Sequence, residues 1–510
     1  MKSHKNTYAW IGIIGVIIAS FVLLWPLGKS GFFITDDGDW MIIRLSAFYQ
    51  SLVGGQFPVR FLGRLNHNYG YPVANFLYPG FLYVGSFIRL FGFTYVDVVK
   101  IILVLSVVGS GSFLYVTLKK KYDTLSSFGG AVSYILSPYV VFDLFKRGSV
   151  GEIFAFLPAS VLFFGILGDI TWIIPIATAL LIVSHNSLAL LFLCVSFVFA
   201  SLSTRRWVYF RGMVIGVGMS TFFWLPALYE RRYVLFDSVS ISDPYAYFMT
   251  LLNWQLLGVG AVASFLVLVS RAHKFTVFEK CAAVITLVSV IFSLSLSRII
   301  WQWVPMLASF IQFPFRLLSV VSFVGAFSVS SLLQELTKKN RVALVFALFC
   351  VLFYTTVRYQ QSIYYVDRTE GYYSTNEGTT TVKNEFMPRW VQTLQTTRAN
   401  QKVEVLSGDA VFTSIKETSQ RIDGLLEVEA KSTIQINTIY YPGWGVTLNG
   451  VLIPVEYDNP YGLMHLTVPK GSYKFEASFR ETGFRLITDV VSLIFGIIYL
   501  TGMIRSRLRL

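Results

Sequence analysis

The chain has 510 residues, 54% of them hydrophobic and only 14% charged, with a mean hydropathy of +0.60. A soluble protein of this length could not hide that much apolar surface, and several runs exceed the about 20 apolar residues that cross a bilayer, so the composition excludes a soluble fold. The formal net charge of +14 sits largely in short loops between apolar runs, which fits a positive-inside membrane protein better than a nucleic-acid partner.

The expected fold class is a polytopic α-helical membrane protein with a β-sandwich near the C-terminus. Run 8–28 reads as an uncleaved first span, because no small-residue cleavage site follows it. It leads into ITDDGDWMIIR (34–44), with Asp36, Asp37 and Asp39 beside Arg44. Residues 29–96 form a loop rich in Gly, Tyr and Pro, in which 76–93 lies at the membrane interface. Runs 97–118, 125–142 and 153–168 follow, then a helical hairpin over 171–203 with its polar tip at Ser184-His185-Asn186. Runs 212–227, 248–270 and 276–296 come next, then an interfacial segment at 298–313. Runs 314–334, 342–357 and 486–504 complete about twelve spans.

In this register every strongly basic short loop falls on one side: Lys119 to Lys121, Arg205 to Arg211, Arg271 with Lys274, Lys338 to Arg341, and the tail with Arg505, Arg507 and Arg509. That side is the cytoplasm, and both termini lie there. The expected domains are 1–357 in the membrane, an extracytoplasmic β-rich unit at 358–485, and a last span with basic tail at 486–510. Within the β-rich unit, NEFMPRWVQTLQTTR (384–398) reads as a helix capped by Asn384. VTLNGVLIPV (446–455) reads as a hairpin around Asn449-Gly450, and HLTVPKGSYKFEASF (465–479) as a strand pair turning at Pro469-Lys470-Gly471. The three cysteines lie in apolar runs without ligand-like spacing and read as packing residues.

Ionisable residues inside lipid usually mark function, but just outside it they are cheap, and a short acidic run after a span also reads as a solvated cap. Here Asp37, Asp39, Arg44, Arg60, Arg64, Arg147, Glu152, His185, Asn186 and Arg316 are all assigned to the outer side. Arginine forks match phosphate oxygens, and a carboxylate can take a proton from an attacking hydroxyl. The pattern therefore suits sugar transfer from a lipid phosphate. Each residue also has a structural reading. Arg44 pairs within its own loop or binds phosphate. Arg147 and Glu152 close a loop or supply a phosphate ligand and a second acid. His185 is a hydrogen-bonded structural residue or a substrate contact, and Arg316 reaches to headgroups or grips the donor.

DGDWMIIR (37–44), GGQFPVRFLGRLNHNYGYPVANFLYPGFLY (54–83), RGSVGE (147–152), LLIVSHN (180–186), QFPFRLL (312–318) and YYPGWGV (440–446) together carry a resemblance that spans nearly the whole chain. The sequence resembles a bacterial membrane family catalogued as "6-pyruvoyl-tetrahydropterin synthase-related", a name that need not describe its activity. In layout it is similar to the type-C glycosyltransferases, which use polyprenyl-phosphate donors. That resemblance implies a multi-pass enzyme of the bacterial cytoplasmic membrane. It would transfer a sugar from a polyprenyl-phosphate donor to a glycan or other envelope acceptor, with Asp37 or Asp39 as catalytic base or acceptor-orienting acid. Arg44, Arg147 and Arg316 would hold the donor phosphate, and Glu152, His185 and Asn186 would touch substrate. Some members bind a divalent metal through a D-x-D motif and others use none, so Asp37 and Asp39 are also candidate ligands for Mg or Mn. A flippase of lipid-linked glycans and a non-enzymatic envelope scaffold are the alternatives. The absence of Walker, H-E-x-x-H, G-x-S-x-G and C-x-x-C motifs leaves the substrate itself as the source of energy.

Overall fold

The structure is a computed structural model that describes residues 2–239, 244–250, 253–270 and 275–507; Arg271, Lys274 and Arg509 lie outside them. Among these residues, seven helices are long and apolar enough to cross a bilayer: Trp10–Gly28, Tyr95–Leu118, Thr124–Arg147, Val150–Leu167, Pro314–Glu335, Lys338–Gln360 and Gly483–Ile504. An eighth span is possible if Arg206–Met219 and Thr221–Tyr233 count as one, bent by 64°. Ser220 marks the break, its hydroxyl bonding back to the carbonyls of Gly216 and Val217 at 3.1 and 3.0 Å. The two arms of the 171–203 hairpin are helices of 12 and 16 residues, Ile173–Ser184 and Asn186–Ser201, shorter than a bilayer. The expected count of twelve therefore corresponds to seven or eight full-length helices plus shorter ones. Phe346, Val351, Leu493 and Ile498 lie exposed on helix flanks that only lipid would cover. Cys194 and Cys350 are likewise exposed, where the sequence reading expected packed residues.

Which loops share an end of the helices follows from their contacts. At one end Arg341 pairs with Asp123, Tyr122 donates to Glu279 at 3.1 Å, and the Asp123 amide donates to Gln334 at 2.9 Å. Arg205 pairs with Asp169. At the opposite end Asp36 meets Lys146, and Arg147, Glu152, His185 and Arg316 meet one another. These groupings match the alternation read from the sequence. The segment 76–93 holds the ten-residue helix Gly80–Arg89, too short to cross, with Phe87, Leu90 and Phe91 exposed. Segment 298–313 forms two short helices, Arg298–Trp303 and Pro305–Ile311.

The C-terminal unit is tied to the first loop by a two-residue ladder, β1 (Phe32–Phe33) with β2 (Tyr365–Val366). Strands β3 (Val403–Thr418), β4 (Arg421–Ile439), β5 (Trp444–Leu448), β6 (Val451–Ile453), β7 (Leu463–Val468) and β8 (Gly471–Phe479) form one connected six-stranded antiparallel sheet, where a two-sheet sandwich was expected. Along β4, Ile422, Leu426, Val428, Ile434 and Ile436 are buried, the alternation of a sheet with one covered face. The Asn449-Gly450 hairpin forms, with φ of 51° and 82° as a type I′ turn requires. Pro469-Lys470-Gly471 is not a turn. β7 and β8 run on in the same direction along β4, from Met464 opposite Ile436 to Ser478 opposite Arg421, so the Pro–Gly step only interrupts one long strand.

Nor is 384–398 a helix. Lys383 and Asn384 have φ of 51° and 54°, and Met387 precedes a proline, which disfavours helical backbone. The segment's backbone is used elsewhere: Leu235 N–H donates to the Met387 carbonyl at 2.9 Å, Arg389 N–H to Tyr233 at 2.9 Å, and Gln392 and Thr393 to Pro460 at 2.9 and 2.8 Å.

A buried ion cluster fixes this unit against the helices. The Glu230 carboxylate accepts from Arg485 Nε and Nη2 at 2.8 and 2.7 Å, from Asn75 Nδ2 at 2.8 Å and from Tyr441 Oη at 2.8 Å. Arg60 adds a second tie, to Glu481 at 3.1 Å, Asp489 at 3.0 Å and the Phe222 carbonyl at 2.7 Å. Removing one partner of a buried pair strands the other charge. Arg485→Met should therefore cost about 3–5 kcal/mol, read as a large fall in melting temperature of the detergent-solubilised protein. Adding Glu230→Leu should recover part of the loss, and an unchanged melting temperature in the single variant would contradict the assigned role.

Candidate functional site

The acidic loop is held by backbone. Asp36 and Asp37 amides donate to the carbonyls of Lys146 and Arg147 at 2.9 and 2.8 Å. Gly148 makes this approach possible: its φ is +66°, and a Cβ there would lie 2.1 Å from Thr35 Oγ1. Asp37 stands at the N-cap of helix Gly38–Val53 but does not cap it; Thr35 Oγ1 accepts from Gly38 N–H at 2.8 Å instead.

The three aspartates have three fates. Asp36 is exposed and pairs with Lys146 at 3.0 Å. Asp39 accepts from Arg368 at 3.0 Å and from Tyr373 Oη at 3.3 Å, joining the helix start to the C-terminal unit. The half-buried Asp37 carboxylate forms no hydrogen bond or ion pair among the described residues. Burial pushes it above its ordinary pKa, against the pull of Arg147 and Arg44. No three metal-ligating side chains stand together among the described residues, and with Asp39 engaged by Arg368 the D-x-D does not offer two free carboxylates to one cation.

Beside this loop Glu152, Arg147, His185 and Arg316 converge from four segments. Asp143–Arg147 is a π-turn that ends the preceding helix, and Glu152 lies in the first turn of Val150–Leu167. Glu152 Oε1 receives Arg147 Nη1, Arg316 Nε at 2.9 Å and Arg316 Nη2 at 2.8 Å, while Oε2 receives Tyr139 Oη at 3.2 Å. Arg147 also meets Asp143 at 3.0 Å and lies 5.4 and 5.2 Å from the rings of Phe313 and Phe315. Arg316 continues to Ser187 Oγ, the Ile311 carbonyl and Gln312 Oε1 at 3.0, 2.7 and 3.0 Å. His185 Nδ1 accepts from Leu188 N–H at 3.3 Å as the helix cap, which assigns the proton to Nε2, 3.6 Å from Glu152 Oε1. Its ring lies 4.5 Å from that of Tyr78. Asn186 donates to the Phe76 carbonyl at 3.2 Å.

Arg44 differs from the other arginines. It is 3% exposed, and its donors meet the Thr380 carbonyl at 2.6 Å, Thr380 Oγ1 at 3.4 Å and Met41 Sδ at 3.4 Å, with no carboxylate among the described residues bonded to it. Burial holds it below its ordinary pKa, with Tyr78, Asp37 and Glu385 opposing. Glu385 completes the group. Sequence reasoning missed it, having placed 384–398 in a helix. Burial pushes its carboxyl up to about 7, with Arg44 opposing and Asp37 adding to the rise. Asp143 was missed too, although its spacing of four from Arg147 was a visible signal. Arg60 and Arg64, expected with the site, instead tie the loop to other segments.

No family model matches the chain and no curated protein is significantly similar to it, so the family resemblance carried by the motifs is not shown. Among solved structures, the cryo-EM structure of the arabinofuranosyltransferase AftD from Mycobacteria is similar at a TM-score of 0.47 and 12% identity. The match covers 69% of this chain and 26% of that one, so it spans about a quarter of that protein's length.

Glu385 holds its proton to about pH 7 when folded but releases it near 4.5 when unfolded. Between those values the native state binds more protons, so stability falls as pH rises. Wild type and Glu385→Gln should melt together near pH 4.5, with the variant more stable at pH 7.5. A constant gap across that range would remove Glu385 from this account.

Proposed function

We propose that the protein is a membrane glycosyltransferase that moves a sugar from a polyprenyl-phosphate donor to an acceptor hydroxyl at the end of the helices that carries the acidic loop. The observation that carries this reading is the unpartnered Asp37 carboxylate beside buried guanidinium groups drawn from distant segments. Asp37 takes the acceptor's proton as the acceptor oxygen bonds to the anomeric carbon. The bond from that carbon to the phosphate oxygen breaks, and its electron pair leaves on the polyprenyl phosphate. Arg44, whose fork is met only by neutral acceptors, binds that phosphate. Arg147 and Arg316 supply positive field from their places around Glu152, while His185 and Asn186 shape the wall.

Orientation follows from charge. Lys119 to Lys121, Arg205 to Arg211 and Lys338 to Arg341 belong to the loops at the opposite end, so the site faces away from the cytosol. Both termini are then cytoplasmic, and the acceptor is an envelope glycan or a similar hydroxyl-bearing molecule.

The reading is tested with purified protein in nanodiscs and a panel of polyprenyl-phosphate hexoses and pentoses, with carrier release followed by mass spectrometry. Asp37→Asn should lower turnover by about 10²-fold or more with its melting temperature unchanged. Arg44→Lys keeps the charge but loses the fork, and should raise KM for the donor more than it lowers kcat. Unchanged turnover in Asp37→Asn would remove it as the base.

A further inference from the structure

Arg44 is 3% exposed, so a phosphate reaches its fork only after a covering element moves. Three segments lie against it. Its own helix Gly38–Val53 and the loop carrying Tyr71 and Tyr78 are fixed, Tyr71 by paired backbone bonds with Leu62 at 2.9 and 3.1 Å. The third is the stretch 378–385 of the C-terminal unit, whose Thr380 supplies the carbonyl and hydroxyl that occupy the fork. The flanks of this stretch are anchored: His67 N–H donates to the Glu377 carbonyl at 3.1 Å, and Leu235 N–H to that of Met387 at 2.9 Å. Between those anchors, among the described residues, hydrogen bonds to distant segments run through two side chains only. One is Arg44. The other is Tyr71, whose hydroxyl meets Thr381 Oγ1 at 2.8 Å and accepts from Phe386 N–H at 2.9 Å.

The rest of the stretch is bonded to itself. Thr379 Oγ1 donates to Asn384 Oδ1 at 2.6 Å, Thr380 Oγ1 to the Thr379 carbonyl at 2.6 Å, and Glu385 N–H to the Val382 carbonyl at 3.2 Å. A loop closed on itself in this way moves as a unit when its outside ties are cut. Its outer side is open, with Val382 and Lys383 exposed. The closed position also carries a cost: the β-branched Thr380 has φ of 60°, in the left-handed region. What holds Thr380 there is the guanidinium of Arg44. The tie is the weaker of two that Arg44 can make. Thr380 offers a neutral oxygen and a phosphate offers an anionic one, and bonds between charged partners are roughly twice as strong. A ligand that needs the fork binds only when Thr380 has left it, so it shifts the stretch toward the open position.

We propose that 378–385 is a strap released by phosphate: when closed, Thr380 occupies the Arg44 fork and shuts the site, and a lipid phosphate takes its place and holds the strap open. That the ligand is a lipid phosphate rests on the proposed function; the closed latch does not. The test is hydrogen–deuterium exchange on the full chain in nanodiscs, read at the Glu385 and Phe386 amides. Polyprenyl phosphate, polyprenol and inorganic phosphate are the arms, and carrier binding is measured separately by native mass spectrometry. Polyprenyl phosphate should speed exchange about threefold or more, and polyprenol not at all. Thr381→Val and Tyr71→Phe weaken only the closed strap. Each should speed exchange without ligand and tighten binding of polyprenyl phosphate about threefold to tenfold, the worth of one hydrogen bond. Arg44→Met should speed exchange without ligand and abolish the response to it. Thr381→Val carries the test alone should the other two variants fail to fold. Polyprenyl phosphate that binds with exchange unchanged or slowed overturns the strap and leaves the proposed function standing. So does an equal response to polyprenol, a response to inorganic phosphate alone, or binding that neither Thr381→Val nor Tyr71→Phe tightens. No binding of polyprenyl phosphate, to wild type or to the opened variants, removes the lipid-phosphate donor and the release mechanism together.

Discussion

The buried carboxylate of Glu152 is the constraint on which the candidate site depends. A bare carboxylate in a low-dielectric interior is costly, and it stays ionised only where geometry and hydrogen bonding offset its lost hydration. Here two guanidinium groups, a tyrosine hydroxyl and a histidine N–H surround it. The partners come from three stretches of chain, Tyr139 and Arg147 at the end of one helix, His185 at the hairpin tip and Arg316 at the start of Pro314–Glu335, so satisfying one charge fixes the relative positions of all three. The effect extends to the acidic loop through one residue. Arg147 gives its side chain to Glu152 and its carbonyl to the Asp37 amide. The carboxylate that looks idle is therefore positioned by the one that is fully occupied.

A second cluster, Glu230 with Arg485, Asn75 and Tyr441, does the same for the sheet. It takes one partner from the first loop, one from the last helix and one from the sheet unit, and it is buried throughout. Exposed pairs such as Lys470 with Glu429 at 3.2 Å resemble these on paper but contribute little, being screened and entropically costly. The division explains why an unusually apolar chain keeps so many charged residues in its motifs. Many of them are not at the chemistry. Arg60 in VRFLGR and Arg485 hold the large pieces together, and the motif residues nearest Asp37 are a minority.

Composition and hydropathy made the helical body legible, and charge alternation correctly paired the loops that meet at each end. The convergence of Arg147, Glu152, His185 and Arg316 was legible for the same reason: once their loops share an end, mutual pairing of buried charges is close to forced. Other features were not. Helix pattern in 384–398 was outweighed by a pre-proline residue and by backbone partners on distant segments, which no local window contains. β7 and β8 read as a hairpin because Pro-Lys-Gly is a turn signal. Which strand lies alongside is a tertiary fact, and β4 is long enough to pair with both. Glu385 was missed because nothing in its neighbours marks a half-buried carboxyl. Its setting depends on Arg44, more than 300 residues away in sequence.

The arginines of the site divide by what they already hold, and the division bears on how a phosphate would be recognised. An incoming phosphate that took the fork of Arg147 or Arg316 would have to displace Glu152. Stranding that carboxylate in the interior costs about 3–5 kcal/mol, as much as a good charged contact returns. These two arginines therefore act at a distance, through field and through the shape they give the wall. Arg44 has no such debt. Its donors rest on the Thr380 carbonyl and hydroxyl and on a methionine sulfur, neutral acceptors whose loss leaves no buried charge behind. Its own desolvation is only partly offset by the carboxyls of Asp37 and Glu385, neither of which bonds to it. An anion placed against Arg44 would complete an unmatched buried charge, whereas one placed against Glu152's partners would break a matched one. On this reading phosphate selectivity resides in Arg44, and the proximity of Asp37 to it couples the group that receives the leaving phosphate to the group that takes the proton.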